Sequence, residues 1–259
     1  MNLVTFIGLG LNDEMGITLQ GLEEAKKADS AFAEFYTNLM PSLSLQHLEQ
    51  LIGKKIEVLS RNQLEDERGR ALTVAAHEGN VAFLVPGDPM IATTHVSLRL
   101  ELSQNGIKTK IIHGPSIMSA VCGATGLQSY KFGKTITVPF NPPLPGSVLD
   151  TIGENHSRGL HTLLLLDVKE NESEQLTIPG ALARIVSADA ELGKRLAVGV
   201  ARLGALDEKV RSASILRLIR EDFGLPPQSI VLPGKLHFME MEALKILAGA
   251  TSSDLEAGA

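Results

Sequence analysis

The first half of the chain alternates short, unbroken apolar runs with longer amphipathic ones, and each switch is marked by glycine, proline or asparagine. Leu3–Gly8, residues 31–36, 56–59, Val81–Val85 and 109–113 read as strands. Residues 18–28, 43–52, 72–77 and 93–104 read as the helices between them. Thr18 stands where an N-cap belongs, and Leu19, Leu22, Ala25 and Ala28 follow at helical spacing. Gly53, Gly79 and Asn105-Gly106 supply the stops. Strands that are apolar along their whole length are buried on both faces. Their alternation with helices therefore predicts an α/β fold with a mostly parallel sheet.

The order changes after Gly114-Pro115. Residues 132–138, 162–168, Leu196–Ala201 and 229–232 read as strands, with a proline-rich loop over 139–145. Residues 178–187 and 213–223 read as helices, the second stopped by Gly224. This irregular order predicts a second α/β domain with antiparallel pairing. The expected division is 1–114 and 115–259, with 251–259, small and polar, as a frayed tail.

A chain of 259 residues with 44% hydrophobic and 21% charged residues has room for two such cores and is not a disordered composition. The net charge of −6 argues against a nucleic-acid partner, which needs clustered Lys and Arg. No signal peptide precedes the first strand, and no apolar run reaches the roughly 18–20 residues that cross a bilayer. A cytoplasmic protein with no membrane partner is expected. Cys122 is the single cysteine, so no internal disulfide or cysteine zinc site can form, and it reads as a small buried apolar residue.

Several familiar sites fail on particular residues. Gly8-Leu9-Gly10 follows a strand, but Asp13 replaces the third glycine of a dinucleotide fingerprint. Gly133-Lys134-Thr135 resembles the end of a P-loop, but Gln128 stands where its first glycine is required. The seven histidines form no metal-binding spacing, and no G-x-S-x-G elbow is present. What remains are three loops at expected strand ends: Gly8-Leu9-Gly10-Leu11-Asn12-Asp13, the stretch from Pro86-Gly87-Asp88-Pro89 to His95, and Gly114-Pro115-Ser116-Ile117. Ligands of open α/β sheets bind beyond the carboxyl ends of strands, so these loops are the candidate site. An ordinary chain reversal, with Asp88 as a helix-start residue, is the competing reading.

The segments Ile7-Gly8-Leu9-Gly10-Leu11, Ala33-Glu34-Phe35-Tyr36-Thr37, Pro86-Gly87-Asp88-Pro89, Ala92-Thr93-Thr94-His95, Ser116-Ile117 and Tyr130-Lys131-Phe132-Gly133-Lys134 add a resemblance. Gly159-Leu160-His161-Thr162-Leu163-Leu164, Ile219-Arg220-Glu221-Asp222-Phe223-Gly224 and Pro233-Gly234-Lys235-Leu236-His237 continue it nearly to the end of the chain. In order and spacing the set resembles the diphthine synthases of the tetrapyrrole methylase superfamily. The resemblance implies a class III methyltransferase with two α/β domains, acting as a homodimer. S-adenosylmethionine would sit folded between the domains, leaving as S-adenosylhomocysteine, with no metal. Residue by residue, the implied cofactor contacts are Leu11, Asp88, Ile91, Ser116 and Ile117 from the first domain. Leu166, Leu203 and Gln228 would come from the second, although the family often has His where Gln228 stands.

The implied substrate is a histidine of elongation factor 2 that carries a 3-amino-3-carboxypropyl group, trimethylated on its amine to diphthine. A sulfonium donor needs alignment more than acid–base machinery. His95, Glu34 and Tyr36 are base candidates by position, and Lys131 or Lys134 could meet the substrate carboxylate. The alternatives are a tetrapyrrole C-methyltransferase of the same superfamily and a non-catalytic cofactor-binding module.

Overall fold

A computed structural model describes residues 2–168 and 175–257. The chain divides into two compact units, Met1–Ile117 and Met118–Ala259. In the first, β1 (Leu3–Gly8), α1 (Leu19–Lys27), β2 (Ser30–Ala33), α2 (Leu45–Ile52), β3 (Ile56–Val58), α3 (Arg61–Leu64), α4 (Arg70–Glu78), β4 (Val81–Val85), α5 (His95–Gln104) and β5 (Lys108–Ile112) follow in order. The strands form one sheet, β3-β2-β4-β1-β5, and every pairing in it is parallel.

Period-two alternation gives this sheet two buried faces. Phe6, Phe83, Val4 and Val81 pack with Leu72, Leu98 and Leu102 on one side. Ile7, Ala82 and Leu84 pack with Ala25, Leu48 and Ile52 on the other. Phe6 and Phe83 are register partners and meet edge to face at 5.6 Å. The sequence-read caps are in place. Thr18 Oγ1 accepts the Gly21 amide at 3.0 Å, and Gly53 ends α2 at φ +75°. Lys54 then reaches back to the end of α1, its ammonium donating to the carbonyls of Ala25 (2.9 Å), Lys26 (2.8 Å) and Ala28.

Across the division runs α6 (Ile117–Thr125). The second unit continues with β6 (Ile136–Val138), α7 (Gly146–Ser157), β7 (Thr162–Leu166), α8 (Ile178–Ala188), β8 (Leu196–Ala201), β9 (Lys209–Ser214), α9 (Ile215–Leu218), β10 (Gln228–Leu232), α10 (Phe238–Ala248) and α11 (Ser252–Ala257). Its sheet runs β6-β7-β10-β8-β9. Among the described strand pairings β6–β7 is parallel and the other three are antiparallel, so the sheet is mixed, as expected.

Two sequence readings are corrected here. Residues 213–223 read as one helix, but Ala213 and Ser214 lie in β9, paired with β8, and the helix is only Ile215–Leu218. Sheet pairing overrides the local pattern, and the Ile215 amide is held by the carbonyl of Arg195 at 2.9 Å. Residues 251–259 read as a frayed tail, but Ser252–Ala257 is a helix with Asp254 and Leu255 buried. The Asp254 carboxylate explains this, because it accepts from Arg217 (2.8 Å) and from the amides of Thr251 (3.0 Å) and Ser214 (3.3 Å). Residues 258 and 259 lie outside the described residues. The sequence reading passed over α3, α6, α7, α10 and β9. Among the described residues no helix is long and apolar enough to cross a membrane.

Candidate functional site

The strand order places the three unusual loops side by side. The chain leaves β1 toward β2 and leaves β4 toward β5, so the two connections pass each other at the β4–β1 pair. Because these strands are parallel, the loops that follow β1, β4 and β5 share the carboxyl edge of the sheet, where ligands of such sheets bind. The loops after β4, β1 and β5 meet there at backbone distance. Gly10 and Gly87 exchange hydrogen bonds, Gly87 N to Gly10 O at 2.7 Å and Gly10 N to Gly87 O at 3.2 Å. A Cβ on Gly8 would lie 2.5 Å from the Gly87 oxygen and 2.6 Å from the Gly114 nitrogen. Only glycine allows three backbones to approach this closely.

All five first-unit residues singled out in the sequence stand on this edge. Leu11 follows β1, Asp88 and Ile91 follow β4, and Ser116 and Ile117 follow β5. Asp88 and Ser116 are buried, Leu11 and Ile117 are half-buried, and Ile91 is exposed. Asp88 Oδ1 accepts the Met90 amide at 2.9 Å, and Oδ2 lies 2.7 Å from Nδ1 of His113. His113 is a site residue that sequence reading missed. Its position between β5 and Gly114-Pro115 was the available signal. A Cβ on Gly87 would meet nothing within 4 Å, so this loop presents bare backbone to open space. Ala92, at φ +56°, keeps the same loop in a conformation that L residues seldom adopt. A carboxylate with spare lone pairs, open backbone and an exposed Ile91 fit a molecule with ammonium, hydroxyl and apolar parts, as S-adenosylmethionine has.

The second-unit residues also share one edge. Leu166 ends β7, Leu203 follows β8, and Gln228 begins β10, which lies between those two strands. Gln228 pairs with Ala201, and Ser229 with Leu165. Both ends of the Gln228 side chain are already engaged. Its oxygen accepts the Ile178 amide at 2.8 Å, at the start of α8, and its nitrogen donates to the Gly224 carbonyl at 2.7 Å. Arg202, at φ +50°, brings a strained turn next to Leu203.

The base candidates converge but are enclosed. Glu34, Tyr36 and His95 are 0%, 3% and 1% exposed, so none presents its side chain to solvent. Burial raises the Glu34 carboxyl, although it accepts the Tyr36 and Thr37 amides at 2.9 and 3.0 Å and the Thr37 hydroxyl. Burial pushes His95 down to about 4 and Tyr36 well above the usual phenol range. His95 is therefore neutral at pH 7, with Nδ1 donating to the Pro89 carbonyl at 3.1 Å and Nε2 3.8 Å from Glu34. The bonds of Glu34 stay within the loop after β2 and that of His95 within the loop after β4, and the two side chains meet in van der Waals contact. This arrangement is suited to fixing those loops, not to taking protons from a bound substrate. A surface cavity of about 340 Å³ beside α5 includes His95 and Glu65 in its lining, but none of Leu11, Asp88, Ile91, Ser116 or Ile117.

Lys131 is not available for a substrate carboxylate. Its ammonium binds Glu240, a buried carboxylate that also accepts from the Gln128 amide (2.9 Å), the His237 amide (2.8 Å) and His161 Nε2 (2.9 Å). His161 Nδ1 accepts the Gly234 amide at 2.9 Å, which fixes the proton on Nε2. Lys134 is exposed. Cys122 is half-buried in α6, where burial pushes its thiol up and keeps it protonated.

Residues 3–218 match the family model of the tetrapyrrole (corrin/porphyrin) methylases. The diphthine synthase of Methanocaldococcus jannaschii is 44% identical over 255 residues, covering 95% of this chain and 98% of that protein. That of Methanocella arvoryzae is 41% identical, with 95% and 98% covered. A crystal structure of diphthine synthase superposes with a TM-score of 0.90 at 40% identity, covering 99% of this chain and 98% of that one.

Proposed function

This chain belongs to the tetrapyrrole methylases and, within them, to the diphthine synthases, and from that premise we propose what its S-adenosylmethionine-dependent methyl transfer in diphthamide biosynthesis acts on and how. The acceptor is the amine of a 3-amino-3-carboxypropyl-histidine on elongation factor 2, carried to the trimethylammonium stage. The enzyme works in the cytoplasm as a homodimer and without a metal ion. The supporting observation is the convergence of Leu11, Asp88, Ile91, Ser116 and Ile117 on one edge of the first sheet.

Bound S-adenosylmethionine supplies a methyl group already activated by a positive sulfur. The chain has to hold and align it, which is worth more here than a strong base. Asp88 offers negative charge to an ammonium or accepts from a ribose hydroxyl. Leu11 and Ile91 offer apolar surface, and Ser116 and Ile117 contribute the start of α6. Leu166 and Leu203 contribute apolar surface and main chain. Gln228 contributes through its main chain, because its amide is committed to Ile178 and Gly224. Glu34, Tyr36 and His95 act as positioning residues, and the amine releases its protons to water.

The test is transfer of a labelled methyl group from S-adenosylmethionine to elongation factor 2 bearing the unmethylated side chain, with a precorrin as the competing acceptor. Mass spectrometry of the modified histidine should show a gain of three methyl groups. Labelling of the precorrin instead, or binding without turnover on either acceptor, refutes the proposal. Asp88→Ala should weaken S-adenosylmethionine binding in isothermal titration, and unchanged affinity would remove Asp88 from the site.

A further inference from the structure

His113 has no part in the functional reading above, yet its side chain meets that of Asp88 directly. Its Nδ1 lies 2.7 Å from Asp88 Oδ2, although 25 residues separate the two. Asp88 hangs from the loop after β4 and His113 from the end of β5, with β1 between those strands. An ionised carboxylate can only accept, so Nδ1 carries the proton. The imidazole is 72% exposed and the carboxylate 7%. A hydrogen bond with one partner so exposed adds little to overall stability. What it does control is orientation.

The outer torsion of an aspartate is broad, with no sharp staggered wells. The Met90 amide holds Oδ1 at 2.9 Å but leaves the carboxylate free to swing about that anchor. A second anchor on Oδ2, from a different strand end, fixes the carboxylate plane. Each oxygen has about two lone-pair sites, so one on each stays open. From this geometry we infer that His113 is a positioning residue for cofactor binding, orienting the Asp88 carboxylate so that its remaining lone pairs face the donor molecule. The inference rests on the reading of Asp88 as a cofactor contact. It extends the site to a side chain that need not touch the cofactor.

The test is a double-mutant cycle read by isothermal titration of the full-length protein with S-adenosylmethionine. His113→Leu should weaken binding about tenfold, as expected for loss of one charge-assisted anchor. His113→Asn, whose amide nitrogen reaches close to the place of Nδ1, should recover most of that loss. His113→Leu added to Asp88→Ala should cost no more than about twofold beyond Asp88→Ala alone. In steady state the His113→Leu defect should lie in KM for the donor, with kcat changed less than twofold. If His113→Leu binds as wild type while Asp88→Ala is weakened, the inference falls and Asp88 keeps its role. Fully additive losses, or equal losses for the Leu and Asn variants, also overturn it. If Asp88→Ala itself binds normally, the underlying reading of Asp88 falls as well.

Discussion

Gly8→Ala should disrupt the junction of the three strand-end loops. The new Cβ would stand 2.5 Å from the Gly87 oxygen, 2.6 Å from the Gly114 nitrogen and 2.8 Å from the Gly114 Cα. Comfortable contact for carbon is about 3.5 Å, so neighbours on two sides must each give by about 1 Å. Neither can do so by turning a side chain, since all these atoms are backbone. Gly87 is further pinned by its paired bonds with Gly10. Overpacking of this kind typically costs about 1–3 kcal/mol, and the absence of any flexible neighbour places this case near 3. Gly53→Ala is the natural comparison. A Cβ there meets nothing within 4 Å, and only the strain of φ +75° remains, about 1 kcal/mol. Urea denaturation followed by circular dichroism should separate the two variants. The functional consequence is larger, because Asp88 follows the displaced Gly87, and a misplacement of about 1 Å can cost about 100-fold in rate. S-adenosylmethionine affinity should collapse in Gly8→Ala and hold in Gly53→Ala. Equal midpoints for the two variants, with normal binding by Gly8→Ala, would refute the close-approach argument.

Further outcomes follow from three polar groups, Glu240, His95 and Lys54. Glu240→Ala should cost about 3–5 kcal/mol in urea titration, because it removes the carboxylate that the Gln128 and His237 amides and His161 Nε2 share and leaves the Lys131 ammonium only the Lys235 carbonyl. Burial alone would raise the Glu240 carboxyl, but the His237 amide, Lys131, the Gln128 amide and His161 bring it down to about 2. Its contribution is therefore complete above the ordinary carboxylate range and lost as pH falls toward 2, so Glu240→Gln should flatten stability against pH there. His95 titrates near 4 when folded against about 6.5 when unfolded, so the unfolded chain binds the extra proton between those values. Stability should fall from pH 6.5 to 4 with a slope that His95→Gln lowers by up to about 1.4 kcal/mol per pH unit. A slope unchanged by the substitution would mean that the imidazole is not buried neutral. Lys54→Met should lower stability by about 1–2 kcal/mol through loss of its three carbonyl partners at the end of α1, and an unchanged urea midpoint would count against that cap.

Much of the first unit was legible because its signals are local. Val81–Val85 is apolar throughout because it is buried on both faces, and that reads directly. Thr18 and Gly53 mark helix ends through bonds to their own neighbours. Of the missed elements, α10 carries such signals, a capping box from His237 to Glu240 and Gly249 at its end, but β9 and α7 lack them. The strand β9 is Lys-Val-Arg-Ser-Ala-Ser, mostly polar, and lies at a sheet edge, where β8 decides its conformation. The helix α7 contains Gly146, Gly153, Thr151 and Asn155, all weak helix formers, and is held by its buried face. The three strand-end loops were visible as glycine and proline punctuation, but nothing in their sequence showed that they touch.

The sequence by itself determined the alternation of strands and helices, the parallel character of the first sheet, the helix caps and the family resemblance. Each of these depends on a residue and its chain neighbours, or on the order of motifs along the chain. Only the tertiary structure decided that β1 lies between β4 and β5, which brings Gly8, Gly87 and Gly114 to backbone contact. It decided that Lys131 belongs to Glu240, that Gln228 is occupied by Ile178 and Gly224, and that His113 meets Asp88. A charge or amide takes whichever partner the fold brings within about 3 Å, and that pairing is set by strand order and burial, which spacing along the chain does not encode.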